Sequence, residues 1–262
     1  MNRYGENGTP FFFLIDSSMC TFEIHELDKL PDKIKFHTPL LSNNKSGQIY
    51  TKPFLWKIYP VSFDHYLNTF TIVKEEIRLG NSYLVNLTFP TKVETDLSLD
   101  DIFRISRAKY KLLYHNEFVV FSPETFVSMD NGLIRSYPMK GTIDESIPGA
   151  AQLILADEKE MAEHNTIVDL IRNDLSIVSD NVAVTRYRYF DRIITKDKTL
   201  LQVSSEITGH LGDGYRSRLG NIITAMLPAG SVTGAPKKER CRIIRENEKY
   251  ERGWYTGIFG VF

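Results

Sequence analysis

The chain has 262 residues, of which 42% are hydrophobic and 25% charged, an ordinary composition for a folded globular protein. Its formal net charge of -1 gives no sign of a nucleic-acid surface or of an anionic-membrane surface. The two cysteines, Cys20 and Cys241, lie far apart in the sequence, which argues against a disulfide framework or a zinc site and favours a reducing cytoplasm.

The first third of the chain predicts short strands followed by one long helix. Apolar runs at 11–15, 48–50 and 54–59 are separated by turn-forming residues and predict strands. The run at 11–15 is too short for a signal peptide or a membrane span, so we expect a buried strand there. Residues 64–79 predict a helix that ends before Gly80, with an apolar stripe of Tyr66, Phe70, Val73 and Ile77.

The remaining segments predict a mixture of strands and helices. An Asn131-Gly132 turn predicts a hairpin, and Ser98 is suited to cap a helix at 97–106. Because strands occur in runs with few strand–helix–strand alternations, we predict an α+β fold with antiparallel sheets. Further strands are predicted at 83–89, 118–122, 125–129, 133–137, 182–190, 199–209 and 257–262, and further helices at 157–175, 219–226 and 236–248.

Glu124 and Lys140 form the first candidate site. The predicted hairpin lies between them and could bring both residues to one surface. A carboxylate beside a lysine could stabilise the ammonium form or carry its proton, and a lysine must be neutral to act as a nucleophile. An ordinary structural ion pair is the alternative interpretation.

The predicted helix at 157–175 carries the second candidate site. Glu160, Glu163 and His164 have the spacing that places them on one helix face, and two carboxylates suit a hard cation such as Mg²⁺. A solvated charged face is the alternative. The apolar residues that follow indicate that the helix is buried, so its later polar residues, Asp174 among them, would need partners.

The third candidate is the loop at 228–237, which is rich in Gly, Pro and small residues and leads into a helix. Such a loop lets backbone N–H groups approach an anion at the helix N-terminus. The alternative is an ordinary loop with Pro at a helix start. Taken together, the three segments suggest a site for an anion and a metal with a candidate lysine nucleophile, but they do not name a substrate.

Seven segments, in chain order, resemble the motifs of the chorismate-utilising enzyme family, and the resemblance spans about residues 65–262. The family patterns GDxYQxNLT, SPE, PIKGT, KDxAEHxMIVDLxRNDL, SxVxG, PGGSITGAPK and RGxYxG correspond to residues 80–88, 122–124, 138–142, 159–175, 205–209, 228–237 and 252–257. The resemblance implies one synthase domain over 1–262, with 1–64 as a short N-terminal part. It also implies antiparallel sheets in a sandwich-like core with helices outside.

The family includes anthranilate synthases, aminodeoxychorismate synthases and isochorismate or salicylate synthases. Anthranilate synthases typically carry Ala where this chain has Lys140, and aminodeoxychorismate synthase component I typically carries Lys. The resemblance therefore implies that Lys140 is the nucleophile, that Glu124 assists proton transfer, and that Glu163 and Glu160 help to bind Mg²⁺. The residues that it implies in contact with chorismate are Tyr255, Gly257, Ser231, Gly234, Thr142 and Gln202.

The resemblance also implies a partner and an incomplete match. Component I takes ammonia from a glutamine amidotransferase subunit, and this chain has no glutaminase nucleophile motif of its own. Gln202 stands where the family often has His, so it can form hydrogen bonds but cannot act as an acid. Because the family continues beyond the region that ends at Phe262, we expect a truncated site that lacks an arginine and further metal-binding glutamates.

Three functional hypotheses remain open at this point. The first is aminodeoxychorismate synthase component I, which serves 4-aminobenzoate and folate synthesis, and the second is anthranilate synthase component I or another chorismate enzyme. The third is a catalytically incomplete fragment that binds a glutaminase partner. None of the three predicts an interaction with nucleic acid or with a membrane.

Overall fold

The computed structural model describes residues 1–44, 53–82, 84–195, 198–233 and 237–262, so the strand predicted at 48–50 lies outside the described residues. The helices are α1 (Asn2–Glu6), α2 (Phe63–Arg78), α3 (Leu99–Ile105), α4 (Ala150–Ala156), α5 (Glu158–Ser176), α6 (Leu219–Ala225), α7 (Gly230–Thr233) and α8 (Lys237–Asn247). The strands are β1 (Phe11–Ile15), β2 (Phe22–Glu26), β3 (Ile34–His37), β4 (Trp56–Tyr59), β5 (Lys92–Thr95), β6 (Tyr110–Tyr114), β7 (Phe118–Ser122), β8 (Ser128–Asp130), β9 (Leu133–Ser136), β10 (Met139–Asp144), β11 (Asp180–Ile194), β12 (Thr199–His210) and β13 (Ile258–Val261).

The strands of the described residues pair antiparallel throughout, which confirms the predicted α+β class. The long strand β12 organises the largest sheet: β11 lies along one edge, while β10 and β9 share the other, with β8 beyond β9. Smaller sheets have the orders β13–β1–β2, β3–β6–β7 and β4–β5.

Strand β1 is buried on both faces, as its continuous apolar run predicts. Phe11, Phe13 and Ile15 point into a core formed with α5, α6, β9 and β12. Phe12 and Leu14 point the other way, into a second core shared with β3 and β6. The β1 sheet therefore forms a layer between a helix-covered core and the β3–β6–β7 sheet, because alternate side chains of a strand face opposite sides.

Helix α5 covers the largest sheet and carries the predicted acidic face. Asp157 caps its N-terminus by accepting a hydrogen bond from the backbone N–H of Glu160. Val168, Ile171 and Leu175 are buried on the inner face, spaced three and four residues apart. The prediction of a long helix is confirmed, but the helix is buried on one face only: Asp169, Arg172 and Asn173 are exposed, and Asp174 is the buried one of the later polar residues.

Three predictions of local structure differ from the observed elements. Residues 84–89 form no strand, since the backbone N–H of Thr88 donates to the Glu248 carboxylate instead of a neighbouring strand. The strand predicted at 125–129 is confined to β8. Of the stripe predicted on α2, only Val73 is buried, because this helix packs mainly against α8 rather than across a sheet.

The helices of the described residues are all too short or too polar to pass through a lipid bilayer.

Candidate functional site

Lys140 lies on a β-bulge at the start of β10. Met139 pairs with Ser204 and Thr142 pairs with Gln202, so Lys140 and Gly141 together oppose the single residue Val203. A bulge of this kind turns side chains away from the regular alternation of a strand. Gly141 has φ +85, a left-handed conformation that glycine adopts without strain. The local sequence therefore gives Lys140 a direction that a regular strand would not provide.

The ion-pair partner of Lys140 among the described residues is Glu163 rather than Glu124. The Lys140 ammonium lies 2.8 Å from the Glu163 carboxylate, and both side chains are a little over one third exposed. The hydrogen bond from Lys140 lowers the pKa of Glu163 below its ordinary value. The structure thus joins the first and second candidate sites: the lysine of the bulge meets the acidic face of α5.

Glu160 approaches the same bulge from the preceding turn of α5. Its Oε2 atom lies 3.0 Å from the point where a Cβ on Gly141 would stand. Among the described residues no group of three or more metal-ligating side chains is assembled. Two carboxylates over one strand nevertheless fit the way Mg²⁺ binds, which uses one or two protein carboxylates together with water and substrate oxygens.

Gln202 supports the bulge from β12. Its buried amide nitrogen donates to the carbonyl of Gly141 at 2.8 Å and to that of Val203 at 3.1 Å. The side chain therefore holds the backbone beside Lys140, and its amide nitrogen donates to these two carbonyls. Thr142, its pairing partner on β10, is exposed on the same strand.

Glu124 lines a cavity of about 610 Å³, and Lys140 is not among the described residues that line it. The cavity is largely apolar and reaches β13, where Gly257 contributes to its lining. Glu124 is accessible through the cavity, yet surrounding protein partly buries its carboxyl group, and this burial raises the pKa of Glu124. Two of the predicted site residues, Glu124 and Gly257, are among the described residues that line this cavity.

The loop at 228–237 is described only in part. Gly230 donates its backbone N–H to the buried carboxylate of Asp174 at 3.0 Å, which ties the loop to the end of α5. A Cβ at Gly230 would lie 2.7 Å from that carboxylate, so this position requires glycine. The expectation that Asp174 needs a partner is confirmed. Ser231 lies in α7, and the predicted site residue Gly234 lies outside the described residues.

A family model described as chorismate binding enzyme matches residues 19–262. The chain belongs to this family of chorismate-binding enzymes. The match includes Lys140, Glu163 and Glu124.

Individual proteins are similar to this chain in sequence or in fold. A Haemophilus influenzae protein, named only as an uncharacterized PabA-like protein, is 44% identical over all of this chain and 80% of its own length. An anthranilate synthase component 1 of Haloarcula marismortui is 36% identical over 72% of this chain and 40% of its own. The menaquinone-specific isochorismate synthase MenF of Escherichia coli superposes with a TM-score of 0.68 at 13% identity, over 99% of this chain and 67% of its own.

The structure of this chorismate-binding enzyme also contains a buried network that the sequence did not indicate. Arg252 donates two hydrogen bonds to the Glu248 carboxylate, which also accepts from the backbone and hydroxyl groups of Thr88. Arg252 further holds the carbonyl of Asn86. This clamp connects the predicted 80–88 motif to the turn that carries Tyr255, which is 54% exposed. Arg252 belongs to the last motif, RGxYxG, but the motif by itself gives no partner for it.

Proposed function

We propose that this chain is aminodeoxychorismate synthase component I. It converts chorismate and ammonia into 4-amino-4-deoxychorismate and water. The observation that carries the proposal is Lys140, which lies on a bulge with its ammonium 2.8 Å from the Glu163 carboxylate. A lysine there is typical of aminodeoxychorismate synthases in the resemblance described above, whereas anthranilate synthases carry alanine.

In the proposed mechanism Lys140 acts as a nucleophile. Its neutral amine attacks C2 of chorismate, and the C4 hydroxyl group departs as water with a proton from Glu124. Ammonia then adds at C4, and the bond between C2 and the lysine nitrogen breaks. Burial raises the pKa of Glu124, the direction that suits an acid, because the carboxyl group then keeps its proton to a higher pH.

Glu163 orients the Lys140 side chain in this proposal. Its carboxylate is the partner of the Lys140 ammonium, at 2.8 Å. Glu163 and Glu160 are the residues that would hold Mg²⁺ on α5. When bound, Mg²⁺ would fix the ring carboxylate of chorismate and offset its charge.

Further contacts complete the proposed substrate site. Tyr255, Ser231 and Gly234 bind the side-chain carboxylate of chorismate, with Gly257, Thr142 and Gln202 nearby. Support for Gly257 comes from its place on the cavity wall with Glu124. A glutamine amidotransferase subunit supplies the ammonia, and the reaction takes place in the cytoplasm as part of 4-aminobenzoate and folate synthesis.

Two alternatives compete with this proposal. The anthranilate synthase relative favours anthranilate as the product. The other alternative is a catalytically incomplete fragment that binds a glutaminase partner. The chain matches 80% and 40% of the lengths of two relatives.

Product analysis distinguishes the three. The purified chain is incubated with chorismate, ammonium and Mg²⁺, and products are identified by chromatography and mass spectrometry. We expect 4-amino-4-deoxychorismate; anthranilate or isochorismate would instead support another enzyme of the family. With no product and no Mg²⁺-dependent chorismate binding by calorimetry, the fragment hypothesis would stand. Lys140→Arg is the matched control, because it keeps the positive charge but removes the nucleophilic amine.

A further inference from the structure

The turn at 252–257 carries Tyr255 and leads into β13. The backbone N–H of Tyr255 donates to the carbonyl of Arg252 at 2.9 Å, and the N–H of Gly257 donates to the carbonyl of Trp254 at 3.0 Å. Arg252 and Trp254 are half-buried, whereas Tyr255 is exposed. The Tyr255 side chain therefore extends from the turn, where a ligand can reach it.

The backbone of this turn is strained beside Tyr255. Thr256 has φ +64, a left-handed conformation that a β-branched residue rarely adopts. Such a conformation persists only where the surrounding structure holds it. Nη1 of Arg252 donates to the Thr256 hydroxyl oxygen at 3.4 Å, so the guanidinium group lies against the strained residue.

The guanidinium group of Arg252 is itself fixed by two other segments. It donates to both carboxylate oxygens of Glu248, at 2.7 and 2.6 Å, and Nη2 also donates to the carbonyl of Asn86 at 2.7 Å. The planar fork of arginine fits a carboxylate with two hydrogen bonds, an arrangement that lysine cannot reproduce. The position of the turn therefore depends on Glu248, directly after α8, and on the 86–88 segment.

Trp254 holds the turn independently of this ion pair. The centroid of its ring lies 5.8 Å from that of Phe118 and 5.5 Å from that of Tyr114, at the edge of the second core. Aromatic contacts of this kind stabilise the packing of position 254. We therefore expect the turn to stay attached to the fold when the contacts of Arg252 are weakened, but with less order around Tyr255.

Resting on the proposed contact of Tyr255 with chorismate, we propose that Arg252 is a positioning residue for Tyr255. Its guanidinium group holds the turn against Glu248 and Asn86, so the Tyr255 hydroxyl group is already in place to donate to the side-chain carboxylate of chorismate. Arg252 does not contact the substrate in this arrangement, because its guanidinium group binds protein acceptors and little of it is exposed. Its effect on binding therefore passes through Tyr255.

A double-mutant cycle tests this coupling. Calorimetry measures chorismate binding with Mg²⁺ for the wild type, Arg252→Lys, Tyr255→Phe and the double variant. We expect the affinity to fall about tenfold in Tyr255→Phe, because one hydrogen bond to a carboxylate is lost, and about fivefold in Arg252→Lys. The double variant should bind about as tightly as Tyr255→Phe, because Arg252 has no effect once the hydroxyl group is absent. Losses that multiply in the double variant would overturn the proposal.

Arg242→Lys is the matched control. The hydrogen bonds of Arg242 within the described residues all go to glutamates outside the turn, among them Glu76 of α2 at 3.1 Å. Hydrogen exchange, measured by mass spectrometry without substrate, follows the peptide that contains the turn. We expect about tenfold faster exchange in Arg252→Lys and wild-type exchange in Arg242→Lys. Unchanged exchange in a folded Arg252→Lys variant would contradict the positioning role.

Glu248→Gln takes the place of Arg252→Lys if that variant does not fold. It keeps the shape of the side chain and one acceptor oxygen, and it should weaken chorismate binding in the wild-type background but not in Tyr255→Phe. Thermal melts verify folding. A wild type that does not bind chorismate would overturn this inference. A wild type that binds chorismate but forms no 4-amino-4-deoxychorismate would refute the proposed function, whereas the cycle would still decide the role of Arg252.

Discussion

At the scale of single residues, the bulge at Lys140 and Gly141 depends on one left-handed glycine. Gly141 turns the strand so that Lys140 reaches Glu163, and the missing side chain leaves room for the Glu160 carboxylate. The two glutamates come from successive turns of one helix, so a small backbone change at position 141 acts on the lysine and on both carboxylates.

We expect Gly141→Ala to lower the free energy of unfolding by about 1–2 kcal/mol, because an alanine at positive φ is strained. Gly132→Ala is the matched control: Gly132 also has positive φ, but a Cβ there meets no atom within 4 Å. Both variants should lose similar stability in urea unfolding. Only Gly141→Ala should weaken Mg²⁺ binding in calorimetry, since its methyl group displaces Glu160. Equal Mg²⁺ affinity in the two variants would argue against Glu160 as a ligand.

At the scale of elements, side chains cap helices and hold neighbouring strands together. Ser98 begins α3 with a capping box, in which its hydroxyl oxygen accepts the backbone N–H of Asp101 and the Asp101 carboxylate accepts that of Ser98. Gln202 links β12 to the bulge on β10 by its amide nitrogen. The first contact is local in sequence and the second joins residues far apart.

Ser98→Ala should lower the free energy of unfolding by about 1 kcal/mol, because a backbone N–H of α3 loses its acceptor. Ser98→Thr keeps the hydroxyl group and should lose much less. Chemical denaturation of the three proteins measures the difference. Identical midpoints for Ser98→Ala and the wild type would show that the cap contributes no stability.

Gln202→Glu tests the support of the bulge with almost no change of shape. A carboxylate oxygen would replace the nitrogen that faces the Gly141 and Val203 carbonyls, so we expect a loss of about 2–3 kcal/mol at neutral pH. Burial raises the pKa of the new carboxyl group, and its protonated form can donate to a carbonyl again. The variant should therefore recover stability relative to the wild type as pH falls. If the difference in free energy of unfolding between the variant and the wild type stayed constant between pH 7 and about 5, this arrangement would be contradicted.

At the scale of the whole molecule, distant segments are joined by buried polar contacts. Arg252 and Glu248 are 9% and 1% exposed, and they connect the 86–88 segment to α8 and to the turn before β13. Burial by itself raises the pKa of Glu248, but hydrogen bonds from Arg252 and Thr88 outweigh it and lower the pKa below the ordinary value.

The lowered pKa predicts acid sensitivity. Since the folded pKa of Glu248 is below the unfolded one, its contribution is present above the unfolded pKa of about 4.3 and is lost as pH falls through the folded pKa. Glu248→Gln should therefore be less stable than the wild type at neutral pH, yet lose about 1 kcal/mol less between pH 6 and pH 3. Urea unfolding across this range measures it. Parallel pH profiles for the two proteins would mean that Glu248 is not responsible.

The sequence alone determined the features that depend on neighbouring residues. The apolar run of β1, the Asn131-Gly132 turn, the Ser98 cap and the long helix α5 follow from local periodicity and turn chemistry, and the structure has all of them. The motif order identified the chorismate-binding family before any contact was known, and the family match agrees.

The tertiary structure decided the partners across the fold. It paired Lys140 with Glu163, placed Glu124 on a separate cavity wall, and gave Gln202 and His164 backbone and hydroxyl partners from other elements. It also left residues 84–89 without strand pairing, because the Thr88 N–H is bound by Glu248, which is 160 positions away. Periodicity reports which face of an element is apolar, but the partner of a polar side chain depends on how distant segments pack.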